Sequence, residues 1–282
     1  MARPARQGAT AARGQVRREL AALDRRPRKR LAQHLLADRN IIRRIVDLAE
    51  LTGAESVLEI GPGLGALTIE LAARCAQLVL IELDRDFAAR LRERFVDQPH
   101  VAVVEGDVLK MDLRARCSAP TIVVANLPYN ISTPVLFTLL DHAELFPRLV
   151  LMLQREVAQR MRAQPSDEAY GALSVLVQFR ARVRHGLHVD PAAFVPRPKV
   201  QSEVVVVEPY AALPIPVRDI RVFRSVVRAA FQQRRKQLVN SIATVTNNAA
   251  GVLRAADIDP TRRPETLSLR EFGRLADAIA AA

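Results

Sequence analysis

Short apolar runs alternate with stretches of helical periodicity through the first two thirds of the chain. Runs of about four to six apolar residues, bounded by Gly, Pro, Asp or Asn, predict buried strands. The predicted strands are 56–60, 78–81, 101–104, 121–125 and 149–153. The predicted helices are 41–49, 67–74, 87–95, 134–140 and 155–161. Strands and helices that alternate in this way predict an α/β fold, with a doubly wound sheet covered on both faces.

The ends of the chain follow other patterns. Residues 1–27 are poor in apolar side chains and predict a flexible arm, with a helical tendency near 16–23. The stretch 173–183 is apolar without a clear period, and 204–207 predicts one more strand. Prolines at 209, 214 and 216 indicate a linker, after which helical periodicity returns at 220–231, 236–242 and 267–281. We therefore expect three parts: an arm at 1–27, an α/β domain at 28–210 and a small helical domain at 211–282.

The composition narrows the class of protein. The chain has 282 residues of which 49% are apolar, which excludes global disorder and allows a sizeable core. Two cysteines are too few for a disulfide framework or a cysteine-based zinc site, and they indicate a reducing cytoplasm. The sequence shows neither a membrane-spanning apolar run nor a secretory signal, so we expect a cytoplasmic protein without membrane contact.

Charge is concentrated at the two ends. Residues 1–30 carry 10 basic and 2 acidic side chains, residues 31–210 carry 20 and 22, and residues 211–282 carry 12 and 6. Basic ends favour a polyanionic partner such as nucleic acid, because neutralised phosphates release counterions. Solubility alone is the alternative, and the excess of Arg over Lys, 38 to 4, is also typical of a GC-rich genome.

A glycine-rich turn follows the first strand of the α/β domain. Gly61, Gly63 and Gly65 would let the backbone approach a ligand closely. Glu82 ends the next strand, where a carboxylate can accept both hydroxyls of a ribose, and Asp107 ends the strand after it. Alone, the turn would be equally typical of a structural loop, but with the two carboxylates in register it predicts a nucleoside site.

The spacing of the turn points to one kind of nucleoside. Gly-Pro-Gly-Leu-Gly differs from the Gly-x-Gly-x-x-Gly spacing of dinucleotide sites, which disfavours an NAD-dependent oxidoreductase. Glu59 lies just ahead of the turn and suits a zwitterionic amino-acid tail. S-adenosylmethionine has such a tail and no pyrophosphate.

The fourth strand of the domain ends in a second candidate motif, Asn126-Leu127-Pro128-Tyr129. Pro128 stiffens the turn, so the Asn126 amide and the Leu127 carbonyl can point to one place. Two acceptors suit an exocyclic amine with two N–H donors, and Tyr129 offers a ring on which a base can stack. A capped strand end with a half-buried tyrosine is the alternative for so short a motif.

With its neighbours, this motif resembles the ribosomal RNA adenine dimethyltransferases. The resemblance covers roughly residues 28–275, and it is greatest to the bacterial branch that acts on the small ribosomal subunit. The segments that carry it are Asn126–Ser132, Arg28–Leu36, Leu153–Val157, Tyr170–Gly171, Phe194–Val200 and Phe231–Lys236. The resemblance implies a Rossmann-like S-adenosylmethionine-dependent methyltransferase sheet and a helical RNA-binding domain. It also implies N6,N6-dimethylation of two adjacent adenosines in the 3′-terminal hairpin of 16S rRNA during small-subunit biogenesis, by a monomer.

The resemblance also assigns residues. It implies cofactor contacts at His34, Leu36, Gly61, Glu82, Asp107 and Asn126. Methyl transfer would use the turn Asn126, Leu127, Pro128 and Tyr129, with Tyr129 and Phe194 stacking on the target base. RNA would contact Arg28, Lys29, Arg30, Arg224, Arg228, Arg234, Arg235 and Lys236. The first segment departs from the family pattern Phe-Gly-Gln-Asn/His-Phe-Leu at Leu31, Ala32 and Leu35, which we expect to reshape the lid over the cofactor.

Two functional alternatives stay open at this point. A large-subunit rRNA adenine methyltransferase of the macrolide-resistance type shares the fold and much of the motif set. A noncatalytic RNA-binding assembly factor would keep the fold without the chemistry, although the intact turn and strand-end carboxylates argue against it. No metal site is expected, because His100, His142, His185 and His188 show no ligand spacing with one another or with the cysteines.

Overall fold

A computed structural model describes residue 14 and residues 16–21, 34–117, 120–233 and 236–282. Its strands are β1 (Leu35–Leu36), β2 (Ser56–Ile60), β3 (Gln77–Glu82), β4 (Val101–Glu105), β5 (Thr121–Asn126), β6 (Leu149–Gln154), β7 (Ala181–Val189), β8 (Phe194–Val195) and β9 (Ser202–Pro209). Its helices are α1 (Arg39–Asp47), α2 (Ala66–Ala72), α3 (Arg85–Arg94), α4 (Ser132–Asp141), α5 (Arg155–Arg162), α6 (Ala172–Gln178), α7 (Ile220–Gln232), α8 (Leu238–Ile242), α9 (Ala249–Ala255) and α10 (Leu269–Ala280).

Seven strands form one mixed sheet in the order β4-β3-β2-β5-β6-β9-β7. The five strands from β4 to β6 pair in parallel, and β9 pairs antiparallel with β6. The strand order reverses beside β2, between β3 and β5, and open α/β sheets bind ligands at such a reversal. The predicted doubly wound fold is therefore confirmed.

The central strands have continuous apolar sequences because both of their faces are covered. Val57, Leu58, Val123 and Val124 are fully buried, as are five of the six residues of β6. Asp38 caps helix α1, since its carboxylate accepts the backbone N–H groups of Asn40 and Ile41 at 2.9 and 3.2 Å. The buried central strands therefore fix the positions of the strand ends.

The chain divides into two compact units. The sheet unit comprises residues 1–155 and 184–209, and the helical unit comprises 156–183 and 210–282. We expected 156–183 in the α/β domain, whereas these residues group with the helical unit. Its apolar residues explain the difference: Phe179 stacks on Phe223 of α7 with ring centroids 4.3 Å apart, and the Tyr170 hydroxyl donates to the Leu267 carbonyl at 2.8 Å.

Several elements differ from the predicted pattern. The ambiguous stretch 173–183 divides between α6 and the start of β7. Polar side chains interrupt the alternation in β7, and α9 contains Gly251, which weakens a helical pattern. The two-residue strands β1 and β8 are too short to leave a periodic signal. Residues 16–21 are helical, as the arm's tendency suggested, whereas most of the arm lies outside the described residues.

In the described part of the chain, no helix combines the length and the apolar character that a membrane span requires.

Candidate active site

The glycine turn after β2 has the backbone that its sequence requires. Gly61, Gly63 and Gly65 have φ of 66°, 59° and 82°, in the left-handed region that favours glycine. A Cβ on Gly63 would also lie 2.8 Å from the Leu35 Cδ2 atom. The turn therefore holds a left-handed conformation while β1 packs closely against it.

Glu82, at the end of β3, is held by this turn. Its Oε2 atom accepts the Gly63 backbone N–H at 2.9 Å and its Oε1 atom accepts the Asp84 N–H at 2.8 Å. The side chain is buried, and burial raises the pKa of the carboxyl while the two backbone hydrogen bonds act in the opposite direction. Because each carboxylate oxygen has a second acceptor site, a fixed pair of acceptors remains for a ligand's hydroxyl groups.

Glu59 is a second buried carboxyl, on β2. Thr68 donates its hydroxyl to the Glu59 Oε2 atom at 2.7 Å. Burial raises the pKa of Glu59 to about 8, and the nearby Glu82 charge adds to the increase. An amino group bound beside Glu59 would favour its ionised form.

Two cavities meet at the glycine turn. The strand-end cavity is lined by Gly61, Glu82, Asp107, Asn126 and Tyr129 together with apolar residues such as Ile81 and Phe87. The turn cavity is lined by Glu59, Pro62 and residues of α1 and α2. Leu35, Gly61 and Asn126 line both cavities. An apolar pocket with a few converging polar groups is typical of a small-molecule site.

Asp107 lies at the far side of the strand-end cavity. Its Oδ1 atom accepts the Leu109 backbone N–H at 3.0 Å, and its Oδ2 atom lies 3.9 Å from the Lys110 ammonium. The lysine is largely exposed, so this ion pair contributes little. The Leu109 N–H therefore fixes one carboxylate oxygen of Asp107, which lines the wall of the cavity.

Asn126 lies at the opposite side, at the end of β5. Its side-chain N–H donates to the His34 carbonyl at 3.0 Å. This contact determines the orientation of the amide, because the donor end faces the backbone and the Oδ1 acceptor end stays available. The His34 ring is held in turn by a hydrogen bond between Nδ1 and the Pro196 carbonyl at 2.9 Å. Three distant segments of the sequence thus fix one acceptor.

Tyr129 completes this wall. Its hydroxyl shares a 2.7 Å hydrogen bond with the Ser202 hydroxyl, and burial raises the pKa of the phenol. Its ring centroid lies 5.4 Å from that of His34, with an angle of 31° between the rings. In the same turn, the Leu127 backbone N–H donates to the Met152 carbonyl of β6 at 3.3 Å. The hydroxyl end of the Tyr129 ring is therefore fixed, and the turn that carries the ring is anchored to the sheet.

Most of the predicted site residues come together in the strand-end cavity. Those that line it are His34, Gly61, Glu82, Asp107, Asn126, Leu127, Pro128 and Tyr129. Leu36 and Phe194 do not: they are register partners in the β1–β8 pair, and both are buried. Leu36 lines the turn cavity instead, and Phe194, only 2% exposed, offers no free face to a base in this structure.

The predicted RNA-binding residues separate into two groups. Arg28, Lys29, Arg30, Arg234 and Arg235 lie outside the described residues, as do Leu31 and Ala32 of the predicted lid. In the helical unit, Arg224 and Arg228 line a shallow groove on α7 together with Arg221 and Thr244. Lys236 is exposed. The groove presents several guanidinium groups on one face.

Sequence reasoning missed Leu35 and Ser202. Leu35 was noted only as a departure from the family pattern, yet it packs on Gly63 and lines both cavities. Ser202, which holds the Tyr129 hydroxyl, lies in none of the segments that carry the resemblance and is 73 positions from Tyr129. Its position directly after the Phe194–Val200 segment was the only available signal.

Comparison with known proteins supports the family resemblance along nearly the whole chain. The family described as ribosomal RNA adenine dimethylase matches residues 25–280. The ribosomal RNA small subunit methyltransferase A of Syntrophotalea carbinolica is 48% identical over 261 residues, covering 91% of this chain and 98% of the relative. The protein of the same name from Geobacter sulfurreducens is 46% identical over 266 residues, covering 91% of this chain and 96% of the relative.

Solved structures agree. A dimethyladenosine transferase from Plasmodium falciparum aligns with a TM-score of 0.75 and 26% identity, covering 86% of this chain and 96% of that one. The 23S rRNA methyltransferase ErmE aligns with a TM-score of 0.66 and 25% identity, covering 87% of this chain and 99% of that one. The family resemblance drawn from the motifs is therefore confirmed: the chain belongs to the ribosomal RNA adenine dimethylase family and is an rRNA adenine methyltransferase.

Proposed function

We propose that this enzyme transfers methyl groups from S-adenosylmethionine to N6 of two adjacent adenosines in the 3′-terminal hairpin of 16S rRNA, giving N6,N6-dimethyladenosine during small-subunit assembly. The observation that carries the proposal is the Asn126 amide, whose N–H is held by the His34 carbonyl so that its oxygen is left as an acceptor. It lies on the wall of a cavity that also contains Glu82.

The residues present fit the cofactor. Glu82 offers two fixed acceptor oxygens, which suit the two hydroxyls of a ribose. Asp107 would accept the adenine amine, and the apolar wall near Ile81 and Phe87 would hold the ring. In the adjoining turn cavity, Glu59 would lie toward the methionine amino group. When bound, S-adenosylmethionine supplies a methyl group already activated by its sulfonium.

The chain's own residues would then address the nucleophile, because the N6 lone pair of adenine is delocalised into the ring. Asn126 Oδ1 and the Leu127 carbonyl would accept the two N6 protons, which favours a tetrahedral nitrogen with its lone pair directed at the methyl. Tyr129, held by Ser202, would stack on the adenine. Positioning and fixed dipoles then supply most of the rate. No general base is assigned, because the alkylated amine is acidic enough to lose its proton to solvent.

The small subunit is the preferred substrate on two grounds. The named small-subunit relatives are 46–48% identical, whereas the 23S rRNA enzyme of similar fold is 25% identical. The Asn126-Leu127 pair in the catalytic turn and the Gln-Arg-Arg-Lys segment before Gln237 also favour it.

The RNA would be held by basic surfaces. In the helical unit, Arg224 and Arg228 lie one turn apart on α7, at a spacing that suits neighbouring phosphates of a backbone. The basic residues 28–30 and 234–236 would add to this contact. We propose that the enzyme acts as a monomer in the cytoplasm, where Cys75 and Cys117, both buried and unpaired with each other, stay reduced.

Methyl transfer to purified ribosomal particles tests the proposal. Unmethylated 30S and 50S particles are incubated separately with the enzyme and S-adenosylmethionine, and primer extension maps the modified positions. We expect two adjacent stops in the 3′-terminal hairpin of 16S rRNA and none in 23S rRNA. Stops confined to 23S rRNA would make this a large-subunit enzyme, and no stops in either particle would leave only an RNA-binding role.

A further inference from the structure

A cluster of metal-ligating side chains lies on β7 and β9, outside both cavities. His185 Nδ1 lies 2.9 Å from Glu203 Oε1, and His188 Nδ1 lies 3.6 Å from Glu203 Oε2. The ligand atoms of the three residues all lie within 4.8 Å of one another. None of the three lines the strand-end or the turn cavity, so the cluster is a separate site.

The fold brings the two histidines to the same face. In a regular strand, residues three apart point to opposite faces, and the alternation of β7 is broken at Arg184 and His185, which are both exposed. Gly186 follows, where a Cβ would lie 2.9 Å from the Val204 carbonyl oxygen and 2.7 Å from Leu48 Cδ1. A close backbone approach at Gly186 thus seats the irregular part of β7 against β9, the strand that carries Glu203.

Burial makes the cluster unlike an ordinary surface pair. The Glu203 side chain is fully buried, whereas His185 and His188 are 39% and 60% exposed. A buried carboxylate needs a positive or hydrogen-bonding neighbour on its open side, and here that side is formed by two imidazole rings with centroids 4.5 Å apart. The cluster therefore combines a buried carboxyl group with two imidazoles that solvent can reach.

The distances suit a tetrahedral ion. With metal–ligand bonds of about 2.1 Å, neighbouring donor atoms in such a site lie about 3.4 Å apart. The contacts of 2.9 and 3.6 Å bracket this spacing. Two imidazole nitrogens and a carboxylate are also a donor set that zinc and its neighbours accept, with a remaining position for water.

The guanidinium next to the cluster in sequence, that of Arg184, is paired with a different carboxylate. Arg184 precedes His185, but its Nε and Nη2 atoms lie 3.3 and 3.2 Å from the two oxygens of Glu208. This pair raises the pKa of the Arg184 guanidinium and lowers that of Glu208. The charge of Arg184 is therefore balanced by a different carboxylate.

We propose that His185, His188 and Glu203 bind one Zn²⁺ ion and thereby join β7 to β9. From the sequence we expected no metal site, since Glu203 belongs to another strand and the two histidines alone lack a ligand spacing. The ion would be held by His185 Nδ1, His188 Nδ1 and a Glu203 oxygen, with water completing the coordination.

Equilibrium dialysis of the tag-free full-length protein against Zn²⁺, with metal analysis and calorimetry, tests this site. We expect one ion per chain and a melting temperature that rises with Zn²⁺. Loss of an outer partner of a metal site typically costs 10–100-fold in affinity, so loss of a ligand in His185→Gln or His188→Gln should weaken binding at least about 100-fold. Co²⁺ should replace Zn²⁺ and give the intense visible bands of a tetrahedral site, whereas Mg²⁺ should not compete.

The controls separate the site from incidental binding. His100→Gln removes an imidazole whose one described hydrogen bond is with the Ala72 carbonyl, and it should leave the affinity unchanged. Because a Gln side chain keeps an N–H that can donate to Glu203, the single variants should stay close to the wild-type melting temperature in the absence of metal. The proposal is overturned if the wild type binds no stoichiometric Zn²⁺, or if the His185→Gln/His188→Gln double variant binds it equally well.

Discussion

The strand-end cavity and the β7–β9 cluster each contain a buried glutamate, and the two are held differently. Glu82 is fixed by backbone N–H groups of Gly63 and Asp84, whereas Glu203 faces two side-chain imidazoles. Backbone donors belong to the sheet and its turn, so they hold the carboxylate in one geometry before any ligand arrives. Imidazoles can instead exchange a proton for a metal ion.

This difference separates two uses of a buried carboxylate. The cavity keeps its acceptors ready for neutral hydroxyl groups, which suits a nucleoside. The cluster offers a charged base with exchangeable partners, which suits a cation.

Asn126→Ala should have the largest effect, because it removes the acceptor that presents the target amine. We expect methyl transfer to fall by about 1000-fold, the upper range for loss of one fixed transition-state hydrogen bond, while RNA binding is largely retained. Single-turnover transfer measured beside RNA affinity distinguishes these effects. Gln98→Ala, which removes an amide that does not line the cavity, should retain wild-type rates. Full turnover by Asn126→Ala would remove this residue from the mechanism.

Glu82→Gln tests whether the backbone-held carboxylate binds the ribose. An amide offers one acceptor oxygen instead of two, and hydrogen bonds to charged groups contribute about 1.5–3 kcal/mol, so S-adenosylmethionine should bind about 10–100-fold more weakly. Glu105→Gln is the matched control, because Glu105 is the register partner of Glu82 on β4 and is exposed. Calorimetry showing the same dissociation constant for both variants would contradict the ribose contact.

Gly186→Ala tests whether the close approach of β7 to β9 at Gly186 holds the cluster in place. The new methyl group would meet the Val204 carbonyl oxygen at 2.9 Å, and a backbone atom cannot move aside cheaply. Overpacking of this kind costs about 1–3 kcal/mol, so the free energy of unfolding in urea should fall by that amount and Zn²⁺ affinity should fall with it. Gly171→Ala, where nothing lies within 4 Å of the new Cβ, should leave stability nearly unchanged. Equal stability of the two variants would show that β7 accommodates a side chain at 186.

Glu59→Gln tests the pH dependence of stability. Burial raises the pKa of Glu59 from 4.5 to about 8, so in this interval the folded protein binds a proton that the unfolded chain has released. The wild type should therefore lose stability as the pH rises from about 5 to 8, on the order of 1 kcal/mol per pH unit.

The Gln side chain mimics the neutral acid at every pH, so the variant should lose less stability over the same range. Urea unfolding at several pH values measures the two slopes, with the exposed Glu105→Gln variant as the control that keeps the wild-type slope. Parallel slopes for wild type and Glu59→Gln would mean that Glu59 is ionised in the folded protein.

Much of the fold could be predicted from the sequence because buried parallel strands have continuous apolar sequences. The strands from β2 to β6 were predicted within one or two residues at each end. Elements that rely on distant partners were not: β1 and β8 exist through their pairing with each other, and β7 alternates irregularly around Gly186. The grouping of 156–183 with the helical unit depends on contacts such as that of Phe179 with Phe223, which no local pattern reveals.

The candidate site shows the same limit. Glu82 and Asp107 could be predicted because parallel strands end at one edge of the sheet. The hydrogen bond from Asn126 to the His34 carbonyl joins residues 92 positions apart, and the cluster of His185, His188 and Glu203 depends on the register of two neighbouring strands. Phe194 was expected at the target base, whereas its place opposite Leu36 leaves it buried.

Nucleoside analysis of the methylated product tests the central claim most directly. Unmethylated 30S particles are treated with the enzyme and tritiated S-adenosylmethionine, and the 16S rRNA is digested to nucleosides. We expect the label to be recovered as N6,N6-dimethyladenosine from the 3′-terminal hairpin. Label on another base, or no incorporation by a folded enzyme that binds the cofactor, would contradict it.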